Sequence, residues 1–502
     1  MAEKQKFYIT SSIAYVNAPP HVGFAAEQLQ ADFLARWHRL IGDEVFFLTG
    51  TDENSLKLIQ AAKKEGVSPH ELADKYAAKF EELTETLNIS SDDFIRTTDE
   101  TKHHPGAQKL WKRMADNGFI YKGQYEGLYC VDCEQFYTEK ELVDGKCPIH
   151  GTVPEHRSEE NYLFKLSAFQ EKLRDLLKSA SYEVIPETRR NEVLSFLEQD
   201  LRDISFSRPA DKLEMGVLVP GDDSQRMYVW CDALANYITG VGFGRDDKAF
   251  ADWWPAGLHL IGKDIIRFHA VYWPAMLLAA DLPLPKRLYV HGFFTIEGEK
   301  MSKSKGNVID PFELVSQRGV DAARYALLRL LPYAEDGDYS TQRVNEIYEA
   351  ELANDLGNLA SRVLAMVEKA CDGIVPEGTA DATLKEQVGQ THHETRQLLD
   401  DCRFADTLET LNKLVVAANR YVEDRQPFKQ EGQNRADTLY TLVQVLGHLS
   451  LLYAPAIPTK AAELQKLLGL TDTGWDWDSM LEWEKVKPGT KVTKGDPLFP
   501  KP

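Results

Sequence analysis

The stretch FYITSSIAYVNAPPHVGF, residues 7 to 24, decides the fold. It opens as a β-branched and aromatic run and stops at Pro19 and Pro20, which bar a helix until His21. From Ala25 to Ile41 the apolar residues Leu29, Phe33, Leu34, Trp37 and Leu40 recur at helical spacing, and Gly42 closes the segment. EVFFLTGTDE (44–53) then reads as a buried strand that delivers Asp52 and Glu53 at its carboxyl end. Strand, helix, strand in this order is a βαβ unit, which implies a parallel sheet with its ligand site at the strand ends.

Working outward, strand-like patterns return at RMYVWCDAL, LHLIGKD and RLYVHGFFTI, and the last runs into the loop EKMSKSKGN (299–307). Between Asp116 and Gln225 the rhythm breaks into shorter pieces, with a more helical region from Glu160 to Asp203, and an insertion is the economical reading. From Tyr325 onward long amphipathic patterns such as EIYEAELANDLGNLASRVLAMVEKA and ADTLETLNKLVVAANRYVED predict a helical bundle. DGIVPEGTADA (372–382) reads as an exposed connection, and KVKPGTKVTKGDPLFPKP as a tail on the surface.

With 502 residues the chain is too long for one simple core, and usual domain sizes suggest about three or four units. A formal net charge of −20 argues against non-specific attraction to nucleic acid or anionic membranes, while leaving room for a local basic groove. The amino terminus lacks the apolar run of a signal peptide. The most apolar segment, Ala270 to Leu284, is broken by Pro274, Asp281 and Pro283 and falls short of the roughly 20 residues that span a bilayer. A cytoplasmic protein without membrane contact is expected.

Of six cysteines, three fall within residues 130 to 147, too uneven for a disulfide framework. Cys130-x2-Cys133 and Cys147-Pro-Ile-His150 supply three thiolates and one imidazole in two knuckle-like pairs, which suits tetrahedral zinc. Four protein ligands leave no open position, so one structural zinc per chain is expected.

The loop EKMSKSKGN gathers Lys300, Lys303 and Lys305 in an acidic chain. If it follows the last strand of the same sheet, its ammonium groups converge with His21 on a polyphosphate and form an electrostatic clamp. Gly306 and the short serines permit close approach of backbone to phosphate oxygens.

HVGF at 21–24 and KMSKS at 300–304 resemble the two signature motifs of the class I aminoacyl-tRNA synthetases. AYVNAPPHVGF, FLTGTDEN, CVDCEQFY with CPIHG, SEENYLFKLS, YVWCDALANYITG, IGKDIIRFHAVYWPA, GVDAARYALLR, ELANDLGNLASR and the closing LFPK are similar to the methionyl-tRNA synthetase family within that class. The likeness runs through essentially the whole chain. It implies an α/β fold: a Rossmann-like catalytic domain with a zinc-knuckle insertion, followed by an α-helical anticodon-binding bundle. The implied limits are 1–115 and 226–300 for the catalytic halves, 116–225 for the connective insertion (knuckle about 129–155), 301–350 for the KMSKS loop and stem-contact region, 351–485 for the anticodon-binding domain and 486–502 for the tail.

The resemblance also implies a reaction, in which methionine attacks the α-phosphate of ATP and the methionyl group then passes to the terminal adenosine of tRNA(Met). By motif, His21, Lys300 and Lys303 carry the catalysis. ATP is implied to contact His21, Gly23, Phe24, Lys263, Asp264, His291, Lys300 and Lys303, with magnesium accompanying its phosphates. Asp52 matches the partner of the methionine ammonium. Ile13, Tyr15, Trp230, Ala233, Leu234, Tyr237, Ile265, His269 and Trp273 match the methionine pocket, where aromatic faces can contact a polarisable thioether. Asn358 and Arg362, four apart on one helix face, match the anticodon-reading pair, and Phe428 stands where the family usually has a base-stacking Trp.

Three departures stand out. The first motif usually ends in a second His, where this chain has Phe24. TDENSLK replaces the more usual TDEHGxK, which keeps Asp52 but alters the pocket floor. The chain closes at LFPKP without the extra tRNA-binding domain that some members use to dimerise, so a monomer is expected. The rival readings are a class I synthetase for another amino acid and a catalytically inactive tRNA-binding homologue.

Overall fold

The computed structural model describes residues 4–131, 135–137, 139, 142–148, 151–211, 213–301, 306–470 and 474–501. Strand β1 (Lys6–Ser11) leads through the short strand Ala14–Tyr15 and the proline pair into helix α1 (Val22–Leu40), which returns to strand β2 (Glu44–Asp52). Short helix α2 (Val229–Leu234) precedes strands β3 (Leu258–Gly262) and β4 (Arg287–His291).

These strands belong to one seven-stranded sheet. Its order from β2 is β2, β1, β3, β4 and Glu183–Ile185, with Ala14–Tyr15 and Asp93–Arg96 both pairing on the far side of β2. All of these pairings are parallel. Successive strand residues enter opposite cores: Ile9, Phe47, Leu260 and Tyr289 on one face, and Tyr8, Leu48, Ile261 and Leu288 on the other. That alternation explains why the strands read as continuous apolar runs, since a parallel sheet is covered on both faces.

Two segments differ from their sequence reading. Glu183–Ile185, inside the expected insertion, pairs with β4 and so returns to the main sheet. Three residues are too few for periodicity to register. RMYVWCDAL is strand only to Met227, and Val229–Leu234 is helical and wholly buried. An apolar run without a period fits a buried helix as well as a strand.

The insertion also holds two helices, Gln170–Lys178 and Glu187–Phe196, a small antiparallel sheet of Ser207–Pro209, Asp222–Met227 and Leu218–Val219, and a larger one ordered Gln135–Tyr137, Ile120–Cys130, Glu155–Phe164 and Ile204–Ser205. Between residues 341 and 467 the chain is mostly helical, from Thr341–Ile347 through the long helices Phe404–Arg425 and Gly432–Leu452. The tail is anchored rather than loose. Val486, Val492, Leu498 and Phe499 are buried, Ile374 in the connection pairs with Lys491, and Tyr348 donates to the carbonyl of Pro500 at 2.8 Å. No helix among the described residues is long and apolar enough to cross a membrane.

Candidate active site

Strands β1 and β3 are neighbours although the chain between them covers both sheet faces, so the strand order reverses there. Open α/β sheets bind ligands in the crevice beyond the strand ends at such a point. A cleft of about 900 Å³ opens there, and Ser12, Ile13, His21, Asp52, Gly262 and His291 all line it.

At one end of the cleft His21 caps α1. Its Nδ1 accepts the backbone N–H groups of Gly23 and Phe24 at 3.1 and 3.3 Å, so in the neutral ring the proton sits on Nε2. A side chain on Gly23 would crowd that ring at 3.0 Å, so glycine leaves the capping imidazole its room. The same residues meet the far end of the domain: the N–H of Val22 donates to the carbonyl of Ile309 at 3.2 Å, and Met301 and Val308 also line the cleft. Both flanks of the lysine loop therefore stand beside the first motif. Lys303 itself and the side chain of Lys300 lie outside the described residues. Phe24 is half-buried and packs edge-on against Phe80, with ring centroids 4.8 Å apart.

Asp264 faces the cleft, and the crowding of its walls pushes the carboxyl above the usual carboxylate range. Lys263 points elsewhere and pairs with Asp336 at 2.7 Å, so it is not part of the cleft lining. His291 has an acceptor at each nitrogen, the Gly292 carbonyl at 2.6 Å and Glu27 at 2.9 Å. Burial draws its affinity for a proton down, but the Glu27 carboxylate outweighs that and holds it above the ordinary histidine value. An acceptor at each nitrogen suits the doubly protonated ring.

At the other end Asp52 lies at the tip of β2, almost fully buried. Trp230 stacks on Phe268 with centroids 3.7 Å apart and stands edge-on to Tyr15 and His269. His269 directs Nδ1 to the carbonyl of Ile265 at 3.0 Å, and its Nε2 takes the hydroxyl of Tyr237 at 2.7 Å. Burial pulls its pKa down to about 4, so the ring is neutral near pH 7. Ile13, Tyr15, Trp230, Ala233, Leu234, Tyr237, Ile265 and His269 all line the cleft, as expected from sequence. Trp273 does not. It is fully buried behind Tyr237 and donates Nε1 to His259 at 3.2 Å.

Of the lining residues that the sequence reading did not name, three bear on the chemistry. Glu27 accepts both the N–H and the hydroxyl of Ser12 while holding His291. Its only signal is a carboxylate on the buried side of α1. Lys57 lies 5.0 Å from the centre of the Tyr15 ring, and Phe268 supports Trp230. Nothing in the linear pattern separates these from a surface lysine and a core aromatic.

In the inserted sheet Cys130 and Cys147 are buried together with Tyr137, whose hydroxyl lies 3.8 Å from the Cys147 sulfur. Cys133 and His150 lie outside the described residues, and among the described residues no group of three or more potential ligands converges. In the bundle Asn358 begins the helix Asn358–Cys371, and Arg362 on it pairs with Glu423 at 2.7 Å. Glu423 lies on the helix that leads to Phe428, whose ring is 56% exposed, high for so large an apolar group.

A family model described as tRNA synthetases class I (M) matches residues 7–152 and 138–364, and one described as the anticodon binding domain of methionyl tRNA ligase matches 374–502. The methionine--tRNA ligase of Brucella suis is 43% identical over 99% of this chain and 98% of its own length. That of Rhizobium meliloti is 42% identical over 100% and 99%. The methionyl-tRNA synthetase of Mycobacterium tuberculosis, solved in complex with methionyl-adenylate, superposes with a TM-score of 0.95 at 42% identity, covering 99% of this chain and 100% of that one. Cleft, bundle and likeness agree from end to end: the chain belongs to the methionine--tRNA ligase family of class I tRNA synthetases.

Proposed function

We infer that the chain is an ATP-dependent aminoacyl-tRNA ligase that joins methionine to tRNA(Met). The observation that carries this reading is the meeting of His21 with both flanks of the lysine loop over a cleft whose other end holds Asp52, Trp230 and His269. The methionyl-adenylate bound by the tuberculosis enzyme supports the same chemistry for this cleft.

In the first step a carboxylate oxygen of methionine attacks the α-phosphorus of ATP, and the bond to the β-phosphate breaks. His21, with its Nε2–H, and the backbone near Gly23 hold the phosphates, while Lys300 and Lys303 balance the charge growing on pyrophosphate. Magnesium, bound with ATP, neutralises part of the same charge. Asp264 accepts from the ribose hydroxyls, and His291, drawn toward its cationic form by Glu27, favours the anionic end of the nucleotide. Phe24 fills the place of a second histidine with an apolar ring supported by Phe80. Asp52 pairs with the methionine ammonium, and the ring edges around Trp230 and His269 enclose the thioether. In the second step a terminal ribose hydroxyl of the tRNA attacks the carbonyl and AMP leaves. Asn358, Arg362 and Phe428 read the anticodon.

Cys130, Cys133, Cys147 and His150 hold one structural zinc, a reading supported by the shared burial of Cys130 and Cys147. Metal analysis should find one zinc per chain in the wild type and a loss in Cys130→Ser. A metal-free wild type of normal stability would remove the zinc. The domain limits read from sequence, a monomeric state and a cytoplasmic location belong to the same proposal. Sedimentation of the purified chain decides the second of these.

The deciding experiment is amino-acid-dependent exchange of pyrophosphate into ATP. Methionine alone should stimulate it. Stimulation by leucine or cysteine instead would assign another specificity, and silence with every amino acid would leave a tRNA-binding homologue.

A further inference from the structure

Asn54 stands two residues beyond Asp52, at a position where the family usually has His. Both N–H groups of its side-chain amide are used. Nδ2 donates to Asp232 Oδ2 at 2.7 Å and to the Thr97 carbonyl at 3.1 Å, while its backbone N–H points at Asp52 Oδ1 at 3.4 Å. Asp232 belongs to α2, the helix that also carries Trp230, Ala233 and Leu234. Its second oxygen takes His103 Nε2 at 2.6 Å, and His103 Nδ1 meets Thr239 Oγ1 at 2.9 Å. Asn54, His103, Asp232 and Thr239 are all buried, none more than 2% exposed.

We propose that Asn54 is a positioning residue for methionine, its side-chain amide holding Asp232, and with it the wall helix α2, in register with the strand end that presents Asp52. This rests on the functional reading above. The two halves of the amino-acid pocket come from distant parts of the chain: Asp52 from the end of β2, and Trp230, Ala233 and Leu234 from α2. Asn54 touches both through hydrogen bonds, while Tyr15, paired with Asp52 in the sheet, adds only a ring contact to Trp230. A buried carboxylate that loses one of its donors must find another or move. The hydrogen bonds given above for this network run to Asp52, Thr97, His103 and Thr239, all on the amino-acid side of the cleft, so the nucleotide end should not notice its loss.

Steady-state pyrophosphate exchange on the full chain tests this with Asn54→Ser, which keeps a small polar group but cannot span to Asp232, and with Asn54→His, whose ring N–H can. Asn54→Ser should raise KM for methionine about tenfold while KM for ATP stays within about twofold. Asn54→His should restore most of the methionine affinity. An unchanged methionine KM in Asn54→Ser, or an equal rise in both KM values, overturns the assignment. If Asn54→Ser does not fold, the isosteric Asp232→Asn is read by the same two criteria. Absence of exchange in the wild type would instead overturn the functional reading itself, so the two failures are distinguishable.

Discussion

Arg324 and Asp32 form an ion pair of 2.6 Å with neither side chain exposed. Asp32 lies on α1, the helix that His21 caps, and Arg324 also donates to the carbonyls of Leu87, Pro455 and Ala456. One guanidinium thereby ties the helix of the nucleotide site to the turn between two helices of the bundle. Burial draws the Asp32 carboxyl up, but Arg324 and Arg36 outweigh it and keep the pKa below the usual value.

Arg324→Ala should therefore destabilise the chain by about 3 to 5 kcal/mol, because it leaves a buried carboxylate with much of its compensation gone. Equilibrium denaturation measures this directly. Arg324→Lys should recover only part, since a point-like ammonium cannot reach all the carbonyls that the planar fork serves. A variant with wild-type stability would show that Arg36 alone suffices.

The bundle should weaken in acid through His392 and His448. Nε2 of His392 and Nδ1 of His448 lie 2.9 Å apart in the buried interior. Burial, helped by Lys485 and His393, pulls His392 down to about 3, and burial with His392 and Lys485 pulls His448 well below its ordinary value. Both are lowered relative to an unfolded value of about 6.5, so the unfolded chain takes up protons that the folded chain refuses. Stability is full above about pH 6.5 and falls as the pH drops through the window down to about 3, by up to roughly 1.4 kcal/mol per pH unit for each ring. His259 and His269 add to the same trend. The diagnostic is thus a difference: denaturation between pH 7 and 5 should show a shallower loss in His392→Gln than in the wild type. Parallel curves would mean that His392 is protonated without cost.

Lys303→Ala should slow methionyl-adenylate formation by roughly two to three orders of magnitude, the usual consequence of losing one group that meets charge developing in the transition state. Methionine binding in the absence of ATP should be unaffected. Single-turnover kinetics separate the two, and a normal rate would remove Lys303 from the mechanism.

Phe428→Ala should weaken tRNA(Met) binding by about 1 to 3 kcal/mol if the ring stacks on an anticodon base. Pyrophosphate exchange, which needs no tRNA, should remain at the wild-type rate. Wild-type charging kinetics would leave the exposed ring without a role in recognition.

How much of this was legible in the chain itself depends on the range of the interaction involved. The run at 7–24, the periodic helix after it and the apolar run at 44–53 specify a βαβ unit locally, because prolines, side-chain period and burial on both faces act over a few residues. The short motifs carried the family and most of the cleft lining for the same reason: their chemistry is written in residues close in sequence. What the tertiary structure decided is everything that depends on partners far along the chain. It moved Trp273 behind the pocket, gave Lys263 to Asp336, returned Glu183–Ile185 to the main sheet and made a helix of Val229–Leu234. It also joined Glu27 to His291, Asn54 to Asp232 and Arg324 to Asp32. A buried polar group takes whichever partner the packed fold brings within about 3 Å, and no local pattern records which one that will be.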